Sequence, residues 1–147
     1  RSVGVTGVQT CALPIYSLES KGRFSLPKAF RGRAANWVLT AGLDGCLFVF
    51  PKETFQAEAS KYATLSYLKA DHRALIRHLA SNASWQKIDN LGRLTVNDNL
   101  KNYAGLTKQV VVVGALTRIE LWSPERYHRL FDSLTENIEK TSEKIVM

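Results

Sequence analysis

The chain has 147 residues, room for one compact domain or two half-size units sharing a core, and is 45% hydrophobic and 22% charged. That composition excludes a disordered tail, and no run approaches the roughly 18 uninterrupted apolar residues that span a bilayer, which excludes a helical membrane protein. The net charge of +7 is concentrated between Ser17 and Lys108, with fourteen basic and seven acidic residues, whereas Gln109 to Met147 carries five and six. A basic body with a near-neutral tail suits a protein that meets a polyanion, and also an ordinary basic soluble protein.

Two cysteines, Cys11 and Cys46, form no CxxC pair, so neither a disulfide framework nor a zinc site is predicted and a reducing cytosol is expected. Gly4, Thr6, Gly7, Gln9 and Thr10 interrupt any apolar stretch near the start, so no secretory signal is predicted. Residues 1–15 resemble a translated sequencing-library adapter and are expected to be non-native, although Val3, Val5 and Val8 could replace a lost first strand. No functional residue is placed before Tyr16.

From there the elements follow in order. Phe24 to Leu26 alternates apolar and hydroxyl residues, the period of a half-buried strand, after a reversal at Gly22 that wants a positive φ. A short polar helix candidate covers Lys28 to Arg33, and β-rich runs follow at Trp37 to Thr40 and Leu47 to Phe50. Lys52 to Ala83 reads as two helices, with Phe55, Ala59, Tyr62 and Ala63 on one apolar face and Leu75, Ile76 and Leu79 on the other. Lys69, Arg73 and Arg77 recur at i,i+4 on one face of the second helix, where like charges repel; such a face is solvated or meets a partner.

The order then repeats. Ile88-Asp89-Asn90-Leu91-Gly92-Arg93-Leu94-Thr95-Val96 lines up position for position with Leu18-Glu19-Ser20-Lys21-Gly22-Arg23-Phe24-Ser25-Leu26. A strand at Leu94 to Val96, a short helix at Asn99 to Tyr103, and runs at Val110 to Val113 and Ile119 to Trp122 match the first copy in the same sequence, with the last run set very slightly further along. Ser123, Pro124 and Glu125 supply an N-cap, a first-turn proline and a first-turn acid for a final helix. Its stripe of Tyr127, Leu130, Phe131, Leu134 and Ile138 reads as packing surface.

One half is too small to close a core, because its hairpins leave sheet edges and apolar faces uncovered. Two halves can cover each other. The predicted fold is therefore α+β, a pseudo-twofold barrel of two interleaved hairpin repeats with peripheral helices at the ends of the sheet. The repeats are assigned to residues 16–84 and 85–147.

The stretch Leu18 to Pro27 resembles the first motif of the MraZ family, and Asp89-Asn90-Leu91-Gly92-Arg93-Leu94 resembles its second. Tyr103 to Lys108 and Glu120-Leu121-Trp122 extend the likeness to about the whole chain after Tyr16. The resemblance implies a bacterial transcriptional regulator, cytoplasmic and nucleoid-associated, built from two AbrB-like swapped-hairpin halves. It also implies assembly into homo-oligomeric rings on short direct repeats of double-stranded DNA upstream of the division and cell-wall gene cluster. The family's acid-x-x-x-Arg signature falls on Glu19 to Arg23 and Asp89 to Arg93. The chain departs from the pattern where Glu19 replaces the usual Asp, one methylene longer, so that its turn is expected to be held differently. Asp98 replaces a Pro and is expected to cap the short helix, Trp85 replaces an acid, and the adapter-like segment occupies the place of the first strand.

In each signature a glycine bends the turn and a carboxylate, Glu19 or Asp89, can accept turn amides or brace an arginine. A braced guanidinium donates to two acceptors at once, which suits a phosphate or the O6/N7 edge of guanine. On spacing alone, an internal ion pair stitching the hairpin is an equal reading; the resemblance favours DNA contact. Lys21, Arg23 and Arg93 are assigned the principal contacts, Lys28, Arg31 and Arg33 the positioning on phosphates, and Glu19, Gly22, Asp89 and Gly92 the bracing of the turns. Leu91 stands where the first copy has Lys21, so the halves are expected to contribute unequally.

An enzyme is disfavoured, with no catalytic residues, cofactor, metal or small-molecule substrate expected. There is no GxSxG, P-loop or GxGxxG, and His72, His78 and His128 do not follow a metal-ligand spacing. Cys46 sits in an apolar run as core. The competing reading is an oligomeric scaffold whose basic turns hold an acidic protein partner.

Overall fold

The computed structural model describes residues 15–145. Cys11 and the possible strand residues Val3, Val5 and Val8 lie outside them. The first strand, β1 (Ile15–Ser17), pairs antiparallel with β7 (Gln109–Ala115), so Ile15, assigned above to the foreign-looking segment, is a strand residue. Between them in sequence come β2 (Arg23–Ser25), α1 (Lys28–Arg31), β3 (Asn36–Ala41), β4 (Leu47–Pro51), α2 (Lys52–Tyr62), α3 (Ala70–Ser81), β5 (Ser84–Lys87), β6 (Arg93–Thr95) and α4 (Asp98–Ala104). The chain ends with β8 (Arg118–Trp122) and α5 (Pro124–Glu143).

Six strands form one antiparallel sheet in the order β1-β7-β8-β4-β3-β5, and β2 and β6 form a separate two-stranded ribbon. The pairing exposes the duplication. Phe24 pairs with Leu94, its own counterpart in the second repeat, and Phe48 pairs with its counterpart Glu120. The pairing of Trp37 with Gln86 is matched in the other half by that of Val110 with Tyr16. Each half thus lends strands to the other, so neither can complete its hydrogen bonding alone.

Strand alternation sorts the side chains onto two faces. Trp37, Leu39, Leu47, Val49, Val110, Val112, Ile119 and Leu121 turn inward, where Phe24, Leu26, Leu94 and Val96 of the ribbon and Leu100 of α4 complete the principal core. The opposite face carries Phe48, Phe50, Val111 and Trp122, also buried. Phe55, Tyr62, Leu75, Tyr127 and Leu130 from α2, α3 and α5 cover it. The helices α2, α3 and α5 therefore lie over a face of the sheet and not at its ends as expected, because β4 and β7 carry apolar residues on both sides. Thr40, buried on that face, donates its hydroxyl to the Leu79 carbonyl of α3.

Local chemistry decides the helix boundaries. The Ser123 hydroxyl accepts the Arg126 amide at 3.2 Å, with Pro124 in the first turn. At α4 the cap is Asn97, whose side chain accepts the Leu100 amide at 2.9 Å; Asp98, expected to cap, is the first helical residue and pairs with Lys101 at 3.6 Å. Lys69 precedes α3, so only Arg73 and Arg77 of the basic series share that helix, and Arg73 donates to the Tyr67 carbonyl at 2.9 Å. The α5 stripe is packing surface only at its start. Tyr127 and Leu130 touch the sheet, while Phe131, Leu134 and Ile138 are 49%, 40% and 54% exposed.

Candidate nucleic-acid interface

The two acid-x-x-x-Arg turns lead into adjacent strands of the ribbon, which brings signatures from opposite halves of the chain into contact. In each turn the acid's amide donates to the arginine carbonyl (Glu19 to Arg23, 2.8 Å; Asp89 to Arg93, 3.1 Å) and the glycine amide donates back to the acid's carbonyl (2.8 and 3.0 Å). Gly22 and Gly92 adopt φ of +80° and +77°, the left-handed region the reversal requires. A side chain at Gly22 would meet the Val96 carbonyl oxygen at 2.1 Å, because the Val96 amide donates to the Gly22 carbonyl across the ribbon at 2.7 Å. At Gly92 the neighbour is the Arg31 side chain, 2.6 Å away, which folds over the turn to donate Nε to the Leu26 carbonyl.

The carboxylates hold the two turns differently. Asp89 accepts the Leu91 and Arg93 amides at 2.9 and 2.8 Å with one oxygen, and Nε of Arg93 at 2.8 Å with the other. The Arg93 amide, and after it the Arg93 guanidinium and the Leu91 amide, hold the Asp89 carboxyl below its usual range. Among the described residues Glu19 accepts no amide of its own turn. Its longer side chain reaches across to accept from Arg93 at 3.2 Å and lies 3.9 Å from Nε of Arg23. The result is a continuous run of charges, Arg23–Glu19–Arg93–Asp89, shared by both halves.

This geometry distributes the predicted site residues unevenly. Arg93 is the inner member: its side chain is 20% exposed, and Nε and one terminal nitrogen already donate to carboxylates. Of the five guanidinium hydrogens, that leaves three for an outside acceptor. Arg23 is more open, at 36%, and its Nε is buried without a hydrogen-bond partner among the described residues. Lys21 is exposed at the first tip, and Leu91, 66% exposed, holds the same place at the second. Lys28 is exposed at the start of α1, and Arg31 lies against the second turn. Arg33 stands apart: its guanidinium sits 5.0 Å over the Phe30 ring, beside a cleft of about 210 Å³ shared with Trp37, Leu116 and Arg118 that contains no residue of either turn.

One further contributor belongs to no motif. Gln86 of β5 donates its side-chain amide to the Thr95 carbonyl at 2.6 Å and accepts the Thr95 amide at 2.8 Å. It thereby pairs both backbone groups of the residue opposite Arg23 and ties the ribbon to the edge of the large sheet. A polar residue in a strand reads as solvent-facing, so only its position against β6 reveals this role.

Cys46 and two of the histidines serve the fold. The Cys46 thiol is buried and donates to the Leu43 carbonyl at 3.2 Å, and burial above all pushes its pKa up to about 12. His72 accepts the Ser66 amide, whereas His78 meets the Gly42 carbonyl at 2.7 Å. Among the described residues no three His, Cys, Asp or Glu side chains are placed to hold a metal ion, and no helix is long and apolar enough to cross a membrane.

The fold is a duplicated α+β domain whose halves exchange strands and whose two acid-x-x-x-Arg turns lead into one ribbon. A family model described as "MraZ protein, putative antitoxin-like" matches it twice, over residues 15–78 and 79–146. The chain is similar to proteins named Transcriptional regulator MraZ in Desulforamulus reducens, 38% identical over 132 residues (89% of this chain, 93% of the relative). The same name is carried by relatives in Natranaerobius thermophilus, 39% identical over 89% of this chain and 92% of the relative, and Saccharopolyspora erythraea, 37% identical over 88% and 91%. The chain belongs to the MraZ family. The names of these relatives are those of regulators, not enzymes.

Proposed function

We propose that this protein is a sequence-specific DNA-binding transcriptional regulator, acting in the cytoplasm at the nucleoid. In this reading the halves 16–84 and 85–147 each contribute one turn, and the sheet and ribbon form a closed pseudo-twofold barrel. A ring-shaped homo-oligomer presents these paired turns to short direct repeats upstream of the division and cell-wall gene cluster. Arg23 and Lys21 make the outermost contacts, Arg93 donates its remaining hydrogens from its braced position, and Lys28 and Arg31 sit against phosphates. Arg33, turned over Phe30 towards another cleft, lies outside this contact surface. The observation that carries the reading is the Arg23–Glu19–Arg93–Asp89 run, which holds two guanidinium groups side by side at the surface of one ribbon. Orienting them in advance lowers the entropy lost when they engage a phosphate or a guanine edge.

A single ribbon is a small surface and binds weakly. Several copies meeting tandem sites raise the effective concentration, which adds ~10²–10⁴ in affinity. The test is a gel-shift salt titration on the DNA upstream of the protein's own gene, beside a scrambled duplex. Arg23→Ala should lower affinity for the natural duplex and reduce the log–log salt slope by about 0.9 per lost phosphate contact, with the far-UV spectrum unchanged. Equal binding of both duplexes, or an unaltered slope, refutes the proposal.

A further inference from the structure

The two tips of the ribbon carry different chemistry at the same place. Lys21 is exposed at the first, and at the second Leu91 holds the equivalent position, 66% exposed. A lone exposed leucine is ordinary on a protein surface. This one packs into neither buried cluster of the described residues, yet its backbone is fixed. The Asp89 carboxylate accepts its amide at 2.9 Å, and the next residue, Gly92, is held at φ +77° beneath the Arg31 side chain. Among the described residues Glu19 gives Lys21 no such bond, because its carboxylate reaches across to Arg93. Two guanidinium groups flank the leucine. Arg31 folds over the turn to the Leu26 carbonyl, and Arg93 follows two residues on with three hydrogens still free.

We infer that Leu91 is a specificity-determining residue, which packs against the 5-methyl group of a thymine in the major groove; this rests on the DNA contact proposed above. The major groove admits a two-stranded ribbon of the kind β2 and β6 form. Its base edges display donors, acceptors and one apolar group, the thymine methyl. Leucine neither donates nor accepts, so against a phosphate or a polar base edge it would strip water and return no hydrogen bond. Against the methyl, apolar surface leaves water on both sides. Because Asp89 and Gly92 fix the turn beforehand, little further freedom is lost on contact. Lys21 is by contrast a flexible point charge, suited to a phosphate that carries no sequence information. The halves thus divide the work. Lys21, Arg23, Arg31 and Arg93 supply the salt-dependent grip, and Leu91 selects thymine over a base without the methyl.

The test replaces thymine by uracil, which removes only the 5-methyl group, at each thymine in turn of the duplex upstream of the protein's own gene. Gel-shift titrations at one salt concentration compare the wild type with Leu91→Ala, a truncation at an exposed position that circular dichroism will show to be folded. At one or more positions the wild type should bind the uracil duplex about fourfold more weakly, the worth of one buried methyl. Leu91→Ala should bind the thymine and uracil forms of that duplex alike and keep the salt slope of the wild type. Indifference of the wild type to uracil at every position overturns the inference. So does a loss that persists undiminished in Leu91→Ala, since another group would then be reading the methyl. Either result leaves the preference for the natural over the scrambled duplex, and the effect of Arg23→Ala on the slope, as they stand. Equal binding of natural and scrambled duplexes by the wild type overturns the DNA-binding proposal and this inference together.

Discussion

The equivalent glycines of the two turns should respond differently to the same substitution. Gly22→Ala and Gly92→Ala each place a side chain at a left-handed φ (+80° and +77°), which costs an L-residue ~1–2 kcal/mol. The neighbours separate them. At Gly22 the new methyl would lie 2.1 Å from the Val96 carbonyl oxygen, part of the opposing backbone, which cannot rotate aside. Relief requires β2 and β6 to part, breaking the 2.7 Å bond from the Val96 amide to Gly22 and leaving strand groups unpaired, for ~1–3 kcal/mol more. At Gly92 the methyl meets the Arg31 side chain at 2.6 Å, and that chain can swing into water. The expected losses are therefore about 2–5 kcal/mol for Gly22→Ala and about 1–2 kcal/mol for Gly92→Ala, against a typical domain stability of ~5–15 kcal/mol. Urea unfolding followed by far-UV circular dichroism measures both, at one fixed protomer concentration because assembly shifts the midpoint. Gly32→Ala serves as the control, since nothing lies within 4 Å of the added carbon, and should be neutral or slightly stabilising. Equal losses at the two turns, or a larger loss at Gly92, would refute the claim that opposing backbone dictates the first glycine.

The other expectations follow from the charges and the core. Asp89 titrates below its usual range when folded, so the unfolded chain takes up the proton first; its contribution is intact above about pH 4 and is lost as pH falls through the lower folded value. Asp89→Asn should accordingly lose less stability than the wild type between pH 5 and pH 2.5, and an identical drop in urea midpoint would contradict this. Leu91→Lys restores at the second tip the cation present at the first, and should strengthen binding to any duplex while raising the salt slope by about 0.9. An unchanged slope would place the second tip away from DNA. Cys46, with its pKa pushed up to about 12, should resist alkylation at pH 8 in the folded protein and react once urea unfolds it, as peptide mass spectrometry will read. Labelling at position 46 under native conditions would count against its burial.

Much of this was legible in the residues themselves. The repeat that sets Leu18 to Leu26 against Ile88 to Val96 located both turns, because a reversal needs glycine at one place and a signature needs its acid and arginine four apart. Alternation at Phe24 to Leu26 and Leu94 to Val96 identified strands, and Ser123-Pro124-Glu125 marked the start of α5, since all three are short-range constraints. Long-range partners were not legible. No local pattern says that Glu19 reaches over its own turn to Arg93, that Arg31 lies on Gly92, or that Gln86 completes the pairing of Thr95. Arg33 is close to the other cations in sequence but lines a different cleft, because α1 ends at Arg31 and the chain turns towards the β7–β8 hairpin.

The amino-acid sequence alone determined that the chain is a duplicated α+β protein with two glycine-bent basic turns, since these follow from periodicity and backbone stereochemistry over short stretches. Only the tertiary structure decided that the two turns share one ribbon and one run of charges, that helices cover a face of the sheet, and that the apolar stripe of α5 beyond Leu130 is half-exposed. Those outcomes depend on which strand fills the vacant hydrogen bonds of which other, a choice made by burial and pairing over the whole chain.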